Sequence, residues 1–151
     1  MHPGISDDDQ DRLQLVHLLR EISVRLDLAR SAFARANALH DTDVRALICL
    51  LDAERAGTPA TPGWLGAQLS LTSPATTALI DRLEAAGHVR RQPSLADRRK
   101  VEILVSQEAV TLRWAFFGPL LSGMIAAMRE FSPAELGIVE RFLREVAAGT
   151  R

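Results

Sequence analysis

With 151 residues, 47% hydrophobic and 25% charged, the chain has the composition of a globular protein with one main domain, and extra helices could add a second lobe. A net charge of −1 argues against a uniformly basic nucleic-acid binder, and the single cysteine, Cys49, rules out an internal disulfide framework. No continuous apolar run reaches the roughly 18 residues of a membrane span. The opening MHPGISDDDQD is acidic where a signal peptide would be basic and then apolar, so a cytoplasmic location is expected.

Residues 1–8 read as a flexible tail. From about Asp9, Leu15, Leu18, Leu19, Ile22, Leu26, Ala29 and Phe33 recur at three- and four-residue steps, which predicts one long amphipathic helix reaching Ala38. A small winged domain cannot cover such a helix, so another long helix is its expected partner. His40 and Asp41 punctuate the chain, and Asp41, Thr42 or Asp43 can cap the next helix. Val44, Leu47, Ile48, Leu50 and Leu51 mark that helix as mostly buried, ending near Gly57. Cys49 lies within it and is expected to be a structural thiol, because a reactive thiolate needs cationic neighbours and access. The segment GTPATPG is a loop by composition. Thr61 and Pro62 then start a short helix with Trp64, Leu65 and Leu69 facing inward.

The stretch from Leu65 to Ser106 organises the rest. After a tight connection at Leu71 and Thr72, Ser73 is the expected N-cap of a helix with Pro74 in its first turn and Gly87 at its end. On a 3.6-residue wheel, Ala75, Leu79, Leu83 and Ala86 share the inward face, with Pro74, Thr77 and Asp81 opposite. A strand from His88 to Gln92, a polar tip from Pro93 to Arg99 and the alternation Val101, Ile103, Val105 predict a β-hairpin. Helix, turn, helix and hairpin in this order form a winged helix-turn-helix, the shape that places a helix in a DNA major groove. From Arg90 to Lys100 the chain carries five cations and one acid, whereas its first eleven residues carry four acids and no Lys or Arg. A local basic stripe on a neutral body suffices to meet phosphate.

Beyond the hairpin, Ser106 caps a second long helix containing Trp114, Phe116, Phe117 and Met124, with Gly118-Pro119 expected to kink it. Ser132, Pro133 and Glu135 form a capping-box start for a last helix. Apolar helical surface thus flanks a DNA-reading centre at both ends. The expected division is a helical dimerisation region over 9–40 and 107–151 around a winged helix-turn-helix over 41–106. The fold class is mainly α with one small β-hairpin and about six helices. An intertwined homodimer of the first, fifth and sixth helices would bury the excess apolar surface.

Within the centre, Thr77 is the expected base-edge reader, through its hydroxyl or its methyl group. Ser73, Pro74 and Thr76 lie near the helix start, where hydroxyls and backbone amides suit phosphate. Arg82 can reach the DNA backbone from the flank. At the hairpin tip Arg98 and Arg99 can enter a narrow minor groove, with Asp97 holding Arg99 in one orientation and Asp81 able to act similarly from below. The helix has no Asn, no Gln and one Arg, so specificity is expected to lean on DNA shape and on the wing.

DRLEAAGHVRR followed by ADRRKVEILVS resembles the MarR family of bacterial transcriptional regulators, and FSPAELGIVERFLREV resembles the start of that family's last helix. The resemblance runs from about Asp9 to the end, and its most specific part is the spacing from the reading helix to the Asp-Arg-Arg of the wing. It implies a homodimeric regulator, most often a repressor, bound to palindromic double-stranded DNA and in many members released by a small phenolic or lipophilic ligand. It also implies that Asp97 and Arg99 are the wing pair. Departures are His88 for an aliphatic residue, Ser70 for a glycine ending the first reading-domain helix, and Ala109 for a glycine after the wing.

Phe33, Trp64 and Trp114 are the weakly marked residues for an effector site. The alternative reading is a winged-helix protein-interaction module without DNA readout, which would not need Arg98, Arg99 and Lys100 together. No nucleophile–base grouping or phosphate loop appears, so no enzyme is expected, and no cofactor. One cysteine and four dispersed histidines (His2, His17, His40, His88) make no recognisable metal site.

Overall fold

The computed structural model describes residues 7–150. Helix α1 spans Asp7–Ala36, α2 Asp41–Arg55, α3 Pro62–Leu69 and α4 Ser73–Ala85. Strands β1 (Val89–Pro93) and β2 (Val101–Val105) follow, then α5 (Gln107–Met128) and α6 (Pro133–Gly149). The fold class and element order are those expected, with α1 starting two residues inside the anticipated tail; residues 1–6 lie outside the described residues.

The core lies between α2, α3, α4 and the hairpin. Leu47 and Leu50 of α2, Leu65 of α3, Leu79, Ile80 and Leu83 of α4, Val89 of β1 and Ile103 of β2 form one buried cluster. The strands pair antiparallel from Val89 opposite Val105 to Pro93 opposite Val101, so the alternating residues Val89 and Ile103 reach the core face. The loop before α3 is tied to the free edge of β2, where the Ile103 amide donates to the Ala60 carbonyl at 2.8 Å.

Two helix starts differ from expectation. The N-cap of α2 is His40, whose amide donates to Asp43 Oδ2 at 2.9 Å, so Asp43 occupies the acidic third position of a capping box rather than the cap. The N-cap of α4 is Thr72, not Ser73; its hydroxyl accepts from the Ala75 amide at 3.3 Å. The inward face of α4 differs as well. The inward face is Thr76, Leu79, Ile80 and Leu83, while Ala75 and Ala86 are exposed. Ile48, expected inside, is also exposed. Ser106 and Ser132 cap as expected, through Ala109 N to Ser106 Oγ (3.1 Å) and Glu135 N to Ser132 Oγ (3.2 Å).

The Glu135 carboxylate accepts in return from the Ser132 amide, and these bonds hold its carboxyl below the ordinary value. With a folded value lowered, the stabilisation of α6 is present above the usual carboxylate range and is lost as pH falls through the lowered value. Cys49 is half-buried on α2. Burial raises its thiol above the ordinary value, Asp52 raises it further and Arg45 opposes.

The chain divides into two compact units, Met1–Val110 and Thr111–Arg151, so α5 begins in one and continues in the other. α5 runs as one element through Pro119. By length and composition it is apolar enough to cross a membrane, a property that continuous-run counting missed because Arg113 and small residues interrupt its sequence. Only Ala109 is buried along α5 and no described residue of α6 is, so Trp114, Ile125, Ile138 and Leu143 stand exposed.

Candidate nucleic-acid interface

The corner between α3 and α4 is set by close backbone approach. Ser70 ends α3 in the left-handed region (φ +54°), a conformation costing a non-glycine residue about 1 kcal/mol, and its neighbour Leu71 donates to the Gly66 carbonyl at 2.9 Å. At Gly66 a Cβ would lie 2.7 Å from Thr76 Oγ1 and 3.4 Å from the Leu71 carbonyl. That hydroxyl cannot swing aside freely, because it donates to the Thr72 carbonyl at 2.9 Å. Gly66→Ala is therefore expected to destabilise the protein by about 1–3 kcal/mol through overpacking, read as a lowered urea midpoint with unchanged slope. A midpoint equal to wild type would mean the corner can open at no cost.

This contact removes Thr76 from the expected phosphate group. It is buried at the corner and bonded inward. Ser73, Pro74 and Thr77 are exposed, as is Asp81 one turn beyond Thr77. The Thr77 hydroxyl donates to the Ser73 carbonyl at 3.0 Å, so outward it presents a methyl group and acceptor lone pairs. Those groups suit a thymine methyl or the amino group of adenine or cytosine. Thr77→Ala is expected to change base preference at one base position by about 1 kcal/mol, with affinity for random duplex unchanged. Identical ranking of operator variants by both proteins would remove Thr77 from the readers.

Arg82 does not point its charge freely at DNA. Its guanidinium grips Asp43, with Nε 3.1 Å from Oδ1 and 3.2 Å from Oδ2 and a further bond from its terminal nitrogen to Oδ1. The Asp43 side chain is 1% exposed and that of Arg82 43%. Hydrogen bonding to Asp43 raises the guanidinium above its ordinary value against the opposing effect of burial. The pair joins the start of α2 to the reading helix. Nothing in the residue spacing signals it, since 39 positions separate the partners.

The hairpin tip is a hydrogen-bonded loop. Ser94, buried, donates its amide to the Lys100 carbonyl (2.8 Å) and accepts the Ala96 amide on its hydroxyl (3.2 Å). Asp97 accepts the Lys100 amide on its carbonyl (2.9 Å) and the Arg99 amide on Oδ1 (3.0 Å). Asp97 thus shapes the turn that presents Arg99 rather than gripping the Arg99 side chain; no ion pair joins the two among the described residues. Arg98, Arg99 and Lys100 are exposed together. Asp81 does not support them either, because it pairs with Arg91 of β1 at 2.6 Å.

Of the three aromatics marked for an effector, Phe33 is buried near the end of α1, Trp64 packs against the core, and Trp114 lies in the other unit, 52% exposed. No group of three or more His, Cys, Asp or Glu able to hold a metal ion occurs among the described residues.

An α3–α4 corner, an outward reading face and an ordered basic hairpin in one unit define a winged helix-turn-helix protein. Residues 39–100 match the model of the MarR family. The chain is 33% identical over 132 residues to the uncharacterized HTH-type transcriptional regulator YcgE of Bacillus subtilis (strain 168), covering 87% of this chain and 83% of that protein. The chain belongs to the MarR family and is a transcriptional regulator, not an enzyme. Among solved structures, a MarR family protein from Bacillus stearothermophilus is similar at a TM-score of 0.65 and 22% identity, covering 96% of this chain and 99% of that one. MepR of S. aureus is similar as a point mutant from a multidrug resistant clinical isolate (TM-score 0.72, 17% identity, 91% and 97% covered). MepR is also similar in a complex with DNA (TM-score 0.58, 17% identity, 90% and 99% covered) and bound to ethidium bromide (TM-score 0.60, 17% identity, 90% and 96% covered).

Proposed function

We propose that this regulator is a homodimeric repressor that binds a palindromic operator through α4 and the hairpin tip. The observation carrying the reading is the pairing, within one unit, of an exposed Ser73–Pro74–Thr77 face with an ordered tip presenting Arg98, Arg99 and Lys100. A major-groove helix beside a minor-groove arginine matches the two ways duplex DNA is read. The crystallised MepR–DNA complex supports the same use of a similar chain. Dimerisation is supported by the uncovered apolar residues of α1, α5 and α6, more than a monomer exposes without association. Two copies would place their reading helices about 34–36 Å apart, one duplex turn.

Selection of bound duplexes from a random library, with the mass of the protein measured in solution, tests both halves of this reading. A palindromic consensus bound by a dimer is the expected result. A monomer with no duplex affinity at low salt would instead leave the winged-helix interaction module. Release by a lipophilic or phenolic ligand is the second layer, supported by the ethidium complex of MepR. Such a ligand must favour one spacing of the two winged lobes over another. A panel of lipophilic and phenolic compounds should then contain members that weaken operator binding. If none does, the ligand-release layer is lost.

A further inference from the structure

The reading helix carries an acidic edge made of Asp81, expected from the sequence to support the wing arginines, and Glu84. Asp81 lies one turn beyond Thr77 and is 61% exposed, and Glu84 follows it at 42%. Uncompensated carboxylates on a helix entering a groove meet phosphate as like charges, a juxtaposition that strongly opposes association. Arg91, on β1, closes on both. Its Nη2 lies 2.6 Å from Asp81 Oδ1 and its Nη1 3.2 Å from Glu84 Oε1, while its backbone amide donates to Glu84 Oε2 at 2.9 Å. The Arg91 side chain is 30% exposed, held against the protein rather than extended as a phosphate contact.

We infer that Arg91 is a positioning residue for DNA binding: it discharges the acidic edge of α4 and pins the hairpin to the reading helix at a fixed angle. This rests on the DNA-binding reading above. The three bonds span the outer side of the joint between the two DNA-contacting elements, which is closed on its inner side by the packing of Leu83 on Val89 and Ile103 and by the turn at Gly87 and His88. Fixing that joint before binding removes an ordering cost from the complex.

A double-mutant cycle on the full-length protein tests this, read by fluorescence anisotropy on the selected duplex. Arg91→Gln is expected to weaken binding at least roughly tenfold at low salt, and adding Asp81→Asn should recover most of that loss. Melting temperatures should stay within about 4 °C of wild type, since partly exposed ion pairs contribute little stability. Were Arg91 a direct phosphate contact, Asp81→Asn would restore nothing and the salt slope would fall by about 0.9 per contact, which overturns the inference. Strictly additive effects in the cycle overturn it as well. A wild-type protein that binds no duplex defeats the DNA-binding reading first, and this inference with it. A wild type that binds while Arg91→Gln binds equally well defeats the inference alone.

Discussion

Arg82→Ala is expected to lower the unfolding free energy by about 3 kcal/mol, the largest effect of any surface substitution in the winged unit. The Asp43 carboxylate is 1% exposed and takes its charge compensation from Arg82, with the His40 amide as a second donor. Removing one partner of a buried pair strands a charge without solvent, at about 3–5 kcal/mol. The lower end applies because the 43% exposure of the Arg82 side chain marks a path for water. Asp43→Asn should cost less, about 1 kcal/mol, since a neutral amide can still accept from His40 and the guanidinium can turn to solvent. Arg82→Lys should fall between, because an ammonium is a point charge and cannot reproduce the two-oxygen grip. Urea denaturation of the three variants and of the Asp43→Asn/Arg82→Ala double variant checks the ordering. A double variant destabilised by the sum of the singles or more would mean that the pair is not what holds α2 against α4.

Arg99→Ala is expected to weaken operator binding by about 100-fold while leaving oligomeric state and melting temperature unchanged. The proposed dimer would lose two such side chains, and a specific arginine contact is worth about 1–3 kcal/mol. Arg55→Ala, the same charge removed from the far end of α2, should change affinity little. The hydrogen bonding of the tip adds a sharper expectation for its neighbour. Because Asp97 Oδ1 accepts the Arg99 amide, Asp97→Asn keeps the acceptor that shapes the turn and should bind DNA nearly as wild type, whereas Asp97→Ala should lose affinity. Equal losses in the two Asp97 variants would return the carboxylate to the role of side-chain partner. Arg99→Ala binding as tightly as wild type would remove the wing arginine from the interface.

The local signals were legible because they are local. Ser106 and Ser132 cap by short-range geometry, the hairpin follows from period-two alternation, and the basic tip follows from composition. The class of protein follows from the order of these elements. The sequence could not set the phase of α4, because alanines at 75 and 86 fit either face of the wheel. Thr76, packed against Gly66 at the corner, takes the inward place expected of Ala75, while Leu79 and Leu83 face inward as expected. The fate of the charged residues was likewise beyond local reading. Arg82, Asp81 and Asp97 each carry a charge near the expected interface, yet each is bonded within the protein, two of them by partners on another element.

Caps, turns and periodicity act over a few residues of chain, so the elements, their order and the outward basic tip were settled by the residues in line. Which side chains remain free to meet DNA was settled only when the elements packed. A charge is committed by whatever lies beside it in space, and Asp43 and Arg82 are 39 positions apart.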